Sequence, residues 1–281
     1  MSAPFTCFLF DNGSFRADST RSLRALAARL TAHLGHEVRA VSLLHSTRVP
    51  AEELDGQPAQ LLEPALDEWF GQHPEGRALL LPLFFGPSGA LVDYVPERLA
   101  ALAKKHPRAR AKLAEALVLP DEEPMELVAI LADRVRAVMT ERGWRRPKVV
   151  LCDHGTPLRA VTEVRNRLAE ALAAILCNET EAVAPASMER REGDEYAFNE
   201  PLLENRLGQA PFDSGDVVVA LQFLSPGRHA GPGGDVAEIC ERAEKASPGL
   251  RTAMTAPIAD DPRLVAVLAR RAEAALRELT E

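Results

Sequence analysis

Along the 281 residues, apolar positions fall into two alternating kinds of block. The first kind is a short continuous run, such as LLLPLFF at 79–85 or VVVALQFL at 217–224. Such runs suit strands buried on both faces. The second kind is a longer stretch whose apolar residues recur every three or four positions, which suits an amphipathic helix. This pattern predicts strands near 5–10, 37–44, 78–85 and 115–119, and helices near 18–34, 59–72, 95–105 and 123–141. In the second half it predicts strands near 148–152, 180–185, 216–223 and 250–256, with helices near 159–177, 200–207, 234–246 and 261–279. Strict alternation of this sort implies right-handed crossovers and mainly parallel sheets, hence an α/β fold.

The halves match each other. Residues 5–30, FTCFLFDNGSFRADSTRSLRALAARL, align with residues 148–172, KVVLCDHGTPLRAVTEVRNRLAEAL, and put Asn12 opposite His154 at a spacing of 142. Further on, Glu63 falls opposite Glu200 at 137, Ala90 opposite His229 at 139, and Pro124 opposite Pro262 at 138. Four landmarks in one order at nearly constant spacing mark a tandem repeat. The expected fold is therefore two repeats, residues 1–143 and 144–281, each a small mainly parallel sheet flanked by helices, with a cleft between them. The polar joint RGWRRP at 142–147 marks the boundary.

Composition narrows the function. The chain is 46% hydrophobic and 26% charged, an ordinary globular balance. Its net charge of −8 argues against a nucleic-acid binder, which needs basic charge to displace counterions. No apolar stretch approaches the roughly 20 residues needed to span a bilayer, and no signal peptide is evident, so the cytoplasm is the expected location. Cys7, Cys152, Cys177 and Cys240 form no CxxC pair and read as free thiols rather than metal ligands.

His154 directly follows a strand in VVLCDHGT, where Gly155 permits a sharp turn. It could serve as a metal ligand or a base, or only cap the strand end. His229 lies in FLSPGRHAGPGGD, whose four glycines and two prolines make a loop costly to order. The loop could equally be a plain connection, or a phosphate cradle, although it has neither a Walker nor a GxGxxG pattern. The two histidines end the first and third strands of one repeat. Such strands are commonly adjacent, so a shared site is expected.

CDHGTP at 152–157, NEPLLE at 199–204 and LQFLSPGRH at 221–229 resemble, in order and spacing, the class II chelatases of tetrapyrrole synthesis, the sirohydrochlorin cobalt- and ferrochelatases. The resemblance spans nearly the whole chain in two copies, as in the long two-unit members. It implies insertion of Co²⁺, Fe²⁺ or Ni²⁺ into sirohydrochlorin or a related carboxylate-rich tetrapyrrole. The metal would be a substrate, with no tightly bound cofactor. His154, His229 and Glu200 would be the metal and catalytic residues, and Arg159, Arg165 and Arg228 would face substrate carboxylates. Asn12 and Ala90 stand where the first half would carry its histidines, so that half reads as scaffold. The segment 187–199, SMERREGDEYAFN, has no counterpart in the minimal family unit. Two fused units are compatible with a monomer. A non-catalytic tetrapyrrole- or metal-binding protein of the same fold is the alternative.

Overall fold

Both halves begin with a strand whose side chains are buried on both faces, β1 (Phe5–Asp11) and β5 (Lys148–Asp153). The computed structural model describes residues 3–280. In chain order the first half continues α1 (Ala17–Leu34), β2 (Val38–Ser42), α2 (Leu62–Gln72), β3 (Arg77–Pro82), α3 (Val95–Lys105), β4 (Arg110–Leu113) and α4 (Met125–Arg142). The second half continues α5 (Arg159–Ile175), β6 (Val183–Ser187), α6 (Leu203–Leu207), β7 (Gly215–Leu221), α7 (Asp235–Ala246), β8 (Leu250–Met254) and α8 (Pro262–Thr280).

The strands form two four-stranded sheets of the same order, β2-β1-β3-β4 and β6-β5-β7-β8, and every pairing is parallel. Parallel pairing leaves both faces of the central strands to be covered by helices. On one face of the first sheet, Phe8, Phe10 and Leu80 pack with Leu66, Trp69 and Phe70 of α2 and with Leu102 of α3. Val150, Val217, Val219 and Leu221 pack likewise with Leu203, Val236 and Ile239 in the second.

Repeat and compact unit are different divisions of this chain. One compact unit is Met1–Asp121 with Ala259–Glu281, and the other is Glu122–Ile258. Helix α8 packs on α1, β3 and β4, whereas α4 packs on α5 and β7. The last helix of each repeat thus completes the sheet of the other. Arg29 and Arg271 fix this arrangement in the first unit: Arg29 donates to the carbonyls of Ala259 and Asp260, and Arg271 to those of Ala116 and Leu117.

The expected elements shift in a few places. The fourth strand, expected at 115–119, lies at Arg110–Leu113 and carries the polar, partly exposed sequence RAKL of an edge strand. The apolar run that suggested it, at 116–118, is buried beyond the sheet. There Leu117 and Val118 donate their N–H groups to the carbonyls of Phe84 and Phe85. Helices α2 and α6 begin at Leu62 and Leu203 rather than near 59 and 200. In each unit the residue before that helix bridges back to the second strand, Ser42 to Leu61 and Ser187 to Leu202. These bridges make Glu63 equivalent to Glu204, not to Glu200 as the Glu-Pro match suggested.

Candidate metal-handling site

The carboxyl edge of the second sheet brings the two histidines together. His154 follows β5 and His229 lies in the loop after β7, and these strands are neighbours. Their imidazole centroids are 4.7 Å apart and the rings stand edge to face, at 82°. Gly155 has φ 91°, and a Cβ there would lie 1.8 Å from the carbonyl oxygen of Glu189. Glycine is therefore required for the chain after β6 to cross beside His154. The crossing is held by the N–H of Glu189 donating to the His154 carbonyl at 3.2 Å.

Both rings have one nitrogen committed. His154 Nδ1 lies 3.1 Å from the Gly155 carbonyl oxygen, which can only accept, so Nδ1 carries the hydrogen in the neutral ring. His229 Nδ1 lies 2.5 Å from Asp235 Oδ2, and the carboxylate assigns the hydrogen to Nδ1 there as well. Both Nε2 atoms are left with a lone pair, the usual arrangement of a metal-binding histidine with an oriented outer partner. Asp235 opens α7, and the N–H of Val236 donates to the His229 carbonyl at 3.3 Å, so the helix start holds the loop.

The carboxylate beside this pair is Glu189, with Oε1 3.6 Å from His154 Nε2. Sequence reasoning passed over it inside the charged run MERREGDE, where no spacing singles it out; its register two residues after the end of β6 is the only signal. Glu200 is engaged elsewhere. Its Oε1 accepts from Arg190 Nε at 2.8 Å, and its Oε2 accepts from the Leu202 N–H at 2.9 Å. Burial works to raise the Glu200 carboxyl, but Arg190 and the Leu202 N–H hold it below its ordinary range. A carboxylate so held is a weak proton acceptor, and Glu200 serves to anchor the segment after Glu189. Among the described residues, no three His, Cys, Asp or Glu side chains stand ready to hold a metal ion. A three-ligand metal site here would therefore need side-chain rotation from this arrangement.

The three arginines part company. Arg165, expected to face substrate, is 1% exposed and lies beneath the site, because its position on α5 points at the sheet. Arg159 is exposed, with its guanidinium 4.9 Å from the centre of the Phe198 ring. Arg228 is 75% exposed and lies 3.7 Å from Asp235. The segment 187–199 folds over the loop after β5 and ends in a short 3₁₀ turn, Asp194–Asn199. The fully buried Asn199 carboxamide bonds the N–H and carbonyl of Thr156 at 3.0 and 2.9 Å.

Cysteine takes no part. Cys7, Cys152 and Cys240 are buried and Cys177 is exposed. Burial pushes the Cys7 thiol up to about 12, Cys240 to about 11, and Cys152 well above the usual range. Such thiols stay protonated at neutral pH, whereas metal binding needs the thiolate.

The model of the CbiX family matches residues 148–275. The second repeat thus resembles the CbiX family. A comparison of the sequence with curated proteins finds no match. Among solved structures, the fold resembles that of the sirohydrochlorin chelatase SirB from Bacillus subtilis subspecies spizizenii in complex with cobalt. The TM-score is 0.69 at 13% identity, over 98% of this chain and 96% of that one. SirB from Bacillus subtilis with Fe³⁺ gives 0.66 at 14% identity, over 98% and 95%. CbiX, described as the terminal enzyme for biosynthesis of siroheme in denitrifying bacteria, gives 0.60 at 19% identity, over 96% and 99%. The two-sheet α/β fold of these chelatases thus extends over both repeats, while the CbiX family match lies on the repeat that carries the histidines. No helix among the described residues is long and apolar enough to cross a membrane.

Proposed function

We propose that this chain inserts a divalent metal, Co²⁺, Fe²⁺ or Ni²⁺, into sirohydrochlorin or a related carboxylate-rich tetrapyrrole. The observation that carries this reading is the meeting of His154 and His229 with both Nε2 lone pairs free, inside the repeat that the CbiX family model matches. Neutral imidazole suits these borderline ions. Two imidazoles and one carboxylate leave open positions for water and for the pyrrole nitrogens, as a site that gives its metal away requires.

In this reading, His154 and His229 hold the ion, which is a substrate, and Glu189 replaces Glu200 as the acidic partner. The Glu189 carboxylate supplies a third oxygen ligand or accepts one of the two pyrrole protons that the entering metal displaces. Arg159 and Arg228 are the exposed cations of the set and would pair with macrocycle carboxylates; guanidinium suits such bidentate contacts. Arg165 is withdrawn from that role. A cytoplasmic monomer that binds no nucleic acid remains part of the proposal, supported by the acidic net charge of −8.

The test is an anaerobic absorbance assay with sirohydrochlorin and each ion, run beside a His154→Ala, His229→Ala double variant. Faster conversion of the metal-free spectrum by the wild type supports the reading and names the preferred ion. Equal rates for both proteins with every ion would sink it.

A further inference from the structure

The buried cation Arg165 is the largest fully buried side chain of the described residues, and an unpaired charge in such a place is costly. Its Nη1 donates to Ser187 Oγ at 2.5 Å and to the Asn199 carbonyl at 2.8 Å, and it stands 3.9 Å from Asp153 Oδ1. Ser187 Oγ in turn donates to Asp153 Oδ1 at 2.6 Å. Asp153 and Ser187 are register partners at the ends of β5 and β6. Asp153 immediately precedes His154, and Ser187 lies two residues before Glu189. Asn199 grips Thr156, two residues after His154. One guanidinium therefore ties together the three backbone segments that aim His154 and Glu189.

The first unit supplies an internal control. Asp11 and Ser42 occupy the same register at the ends of β1 and β2, but Leu23 stands on α1 where α5 has Arg165. The loop after β2 is instead held from the surface, by Arg24 donating to the carbonyls of Gln57 and Pro58 at 2.8 and 3.0 Å. The same sheet edge thus folds without a buried cation where no histidine follows β1.

We infer that Arg165 is a positioning residue for metal transfer: through Ser187, Asp153 and Asn199 it fixes the strand ends that carry His154 and Glu189. The inference rests on the site proposed above. The test is a titration of the full-length protein with Co²⁺ alone, read by the visible absorption of the bound ion, beside thermal melting. The key variant is the double substitution Asp153→Asn, Arg165→Leu, which removes both buried charges together and copies Leu23 of the first unit. Ser187→Ala, which cuts one hydroxyl from the bracket, decides the matter if the double variant does not fold.

The expected result is a folded protein whose Co²⁺ dissociation constant rises roughly ten- to a hundredfold, the range for loss of outer partners of metal ligands. Ser187→Ala is expected to follow in the same direction by a smaller factor. A folded variant that binds Co²⁺ as tightly as the wild type would overturn the inference, because a merely structural role moves melting and not affinity. The His154→Ala, His229→Ala protein separates the two levels. If it binds Co²⁺ like the wild type, the site itself is misplaced and the inference falls with it. If its binding is lost while the Arg165 variants bind normally, only the inference fails.

Discussion

At the carboxyl edge of the first sheet, the N–H of Leu44 donates to the carbonyl of Asn12 at 3.1 Å; at the same place in the second sheet, Glu189 donates to His154 at 3.2 Å. Gly13 and Gly155 have φ 90° and 91°, and a Cβ on either would lie under 2 Å from the next segment's carbonyl oxygen. The backbones agree to this degree while the side chains diverge completely. Asn12 and Leu44 fill the places of His154 and Glu189, while Ala90, opposite His229 in the repeat, opens the helical turn that leads into α3. Phe15, Leu44 and Val92, all exposed, leave the first edge apolar. The close crossing of two loops is demanded by folding, because no residue but glycine fits it. The groups displayed on that crossing are free to be chemical or inert.

The buried carboxylates below each edge differ in the same way. Asp153 shares its hydrogen bonds with Ser187 and has Arg165 nearby. Burial still raises its pKa, but the serine, the guanidinium and His154 oppose the rise. Asp11 has Ser42 and the Gly13 N–H but no cation, its Oδ1 is buried without a partner, and burial raises its pKa to about 6. Burial thus works against both carboxylates, and only in the second unit does a guanidinium oppose it.

The comparison can be broken by copying one unit into the other. The largest effect is expected from His154→Asn, which installs the first unit's residue. The Co²⁺-dependent rate should fall by more than about a hundredfold, beyond the usual loss for an outer partner. A rate within threefold of the wild type would mean that the two edges do not differ in function. Next comes Glu189→Leu, after Leu44, with about a tenfold loss in metal affinity or rate. Glu200→Gln should leave Co²⁺ affinity nearly unchanged; the reverse ranking would restore Glu200 as the acidic partner.

A further substitution concerns the first unit and pH. Because the folded Asp11 carboxyl binds its proton more tightly than the unfolded one, its contribution is fully present below about pH 4 and lost as pH rises through about 6. At about 1.4 kcal/mol per unit, the swing is on the order of 3 kcal/mol. Asp11→Asn should remove that part of the pH dependence and leave the protein more stable than the wild type at neutral pH. Melting curves at pH 4 and 7 decide it, and identical pH dependence in the two proteins would refute the cost assigned to Asp11. The smallest effect is expected from Arg190→Ala. Its pair with Glu200 is partly exposed, so stability should change by less than about 1 kcal/mol in a denaturant melt.

The sequence by itself determined the α/β class and the tandem repeat, and it placed His154 and His229 after the first and third strands of one repeat. Apolar runs buried on both faces and amphipathic helices leave their period in the chain, and a repeat leaves its spacing. Residues that follow neighbouring parallel strands share one edge, and the path of the loop after β7 brings His229 to His154. The polar edge strand at Arg110–Leu113 was hidden because exposed strands carry little apolar signal, while the apolar 116–118 run mimicked one. Only the tertiary structure assigned α8 to the first sheet and α4 to the second, because an apolar helical stripe does not state which sheet it will cover. Only the tertiary structure also separated Glu189 from Glu200, and sent Arg165 inward while leaving Arg159 and Arg228 outside. One carboxylate or guanidinium reads like another in a sequence. What it does is set by whether a partner stands within about 3 Å of it, and that is a property of the folded chain.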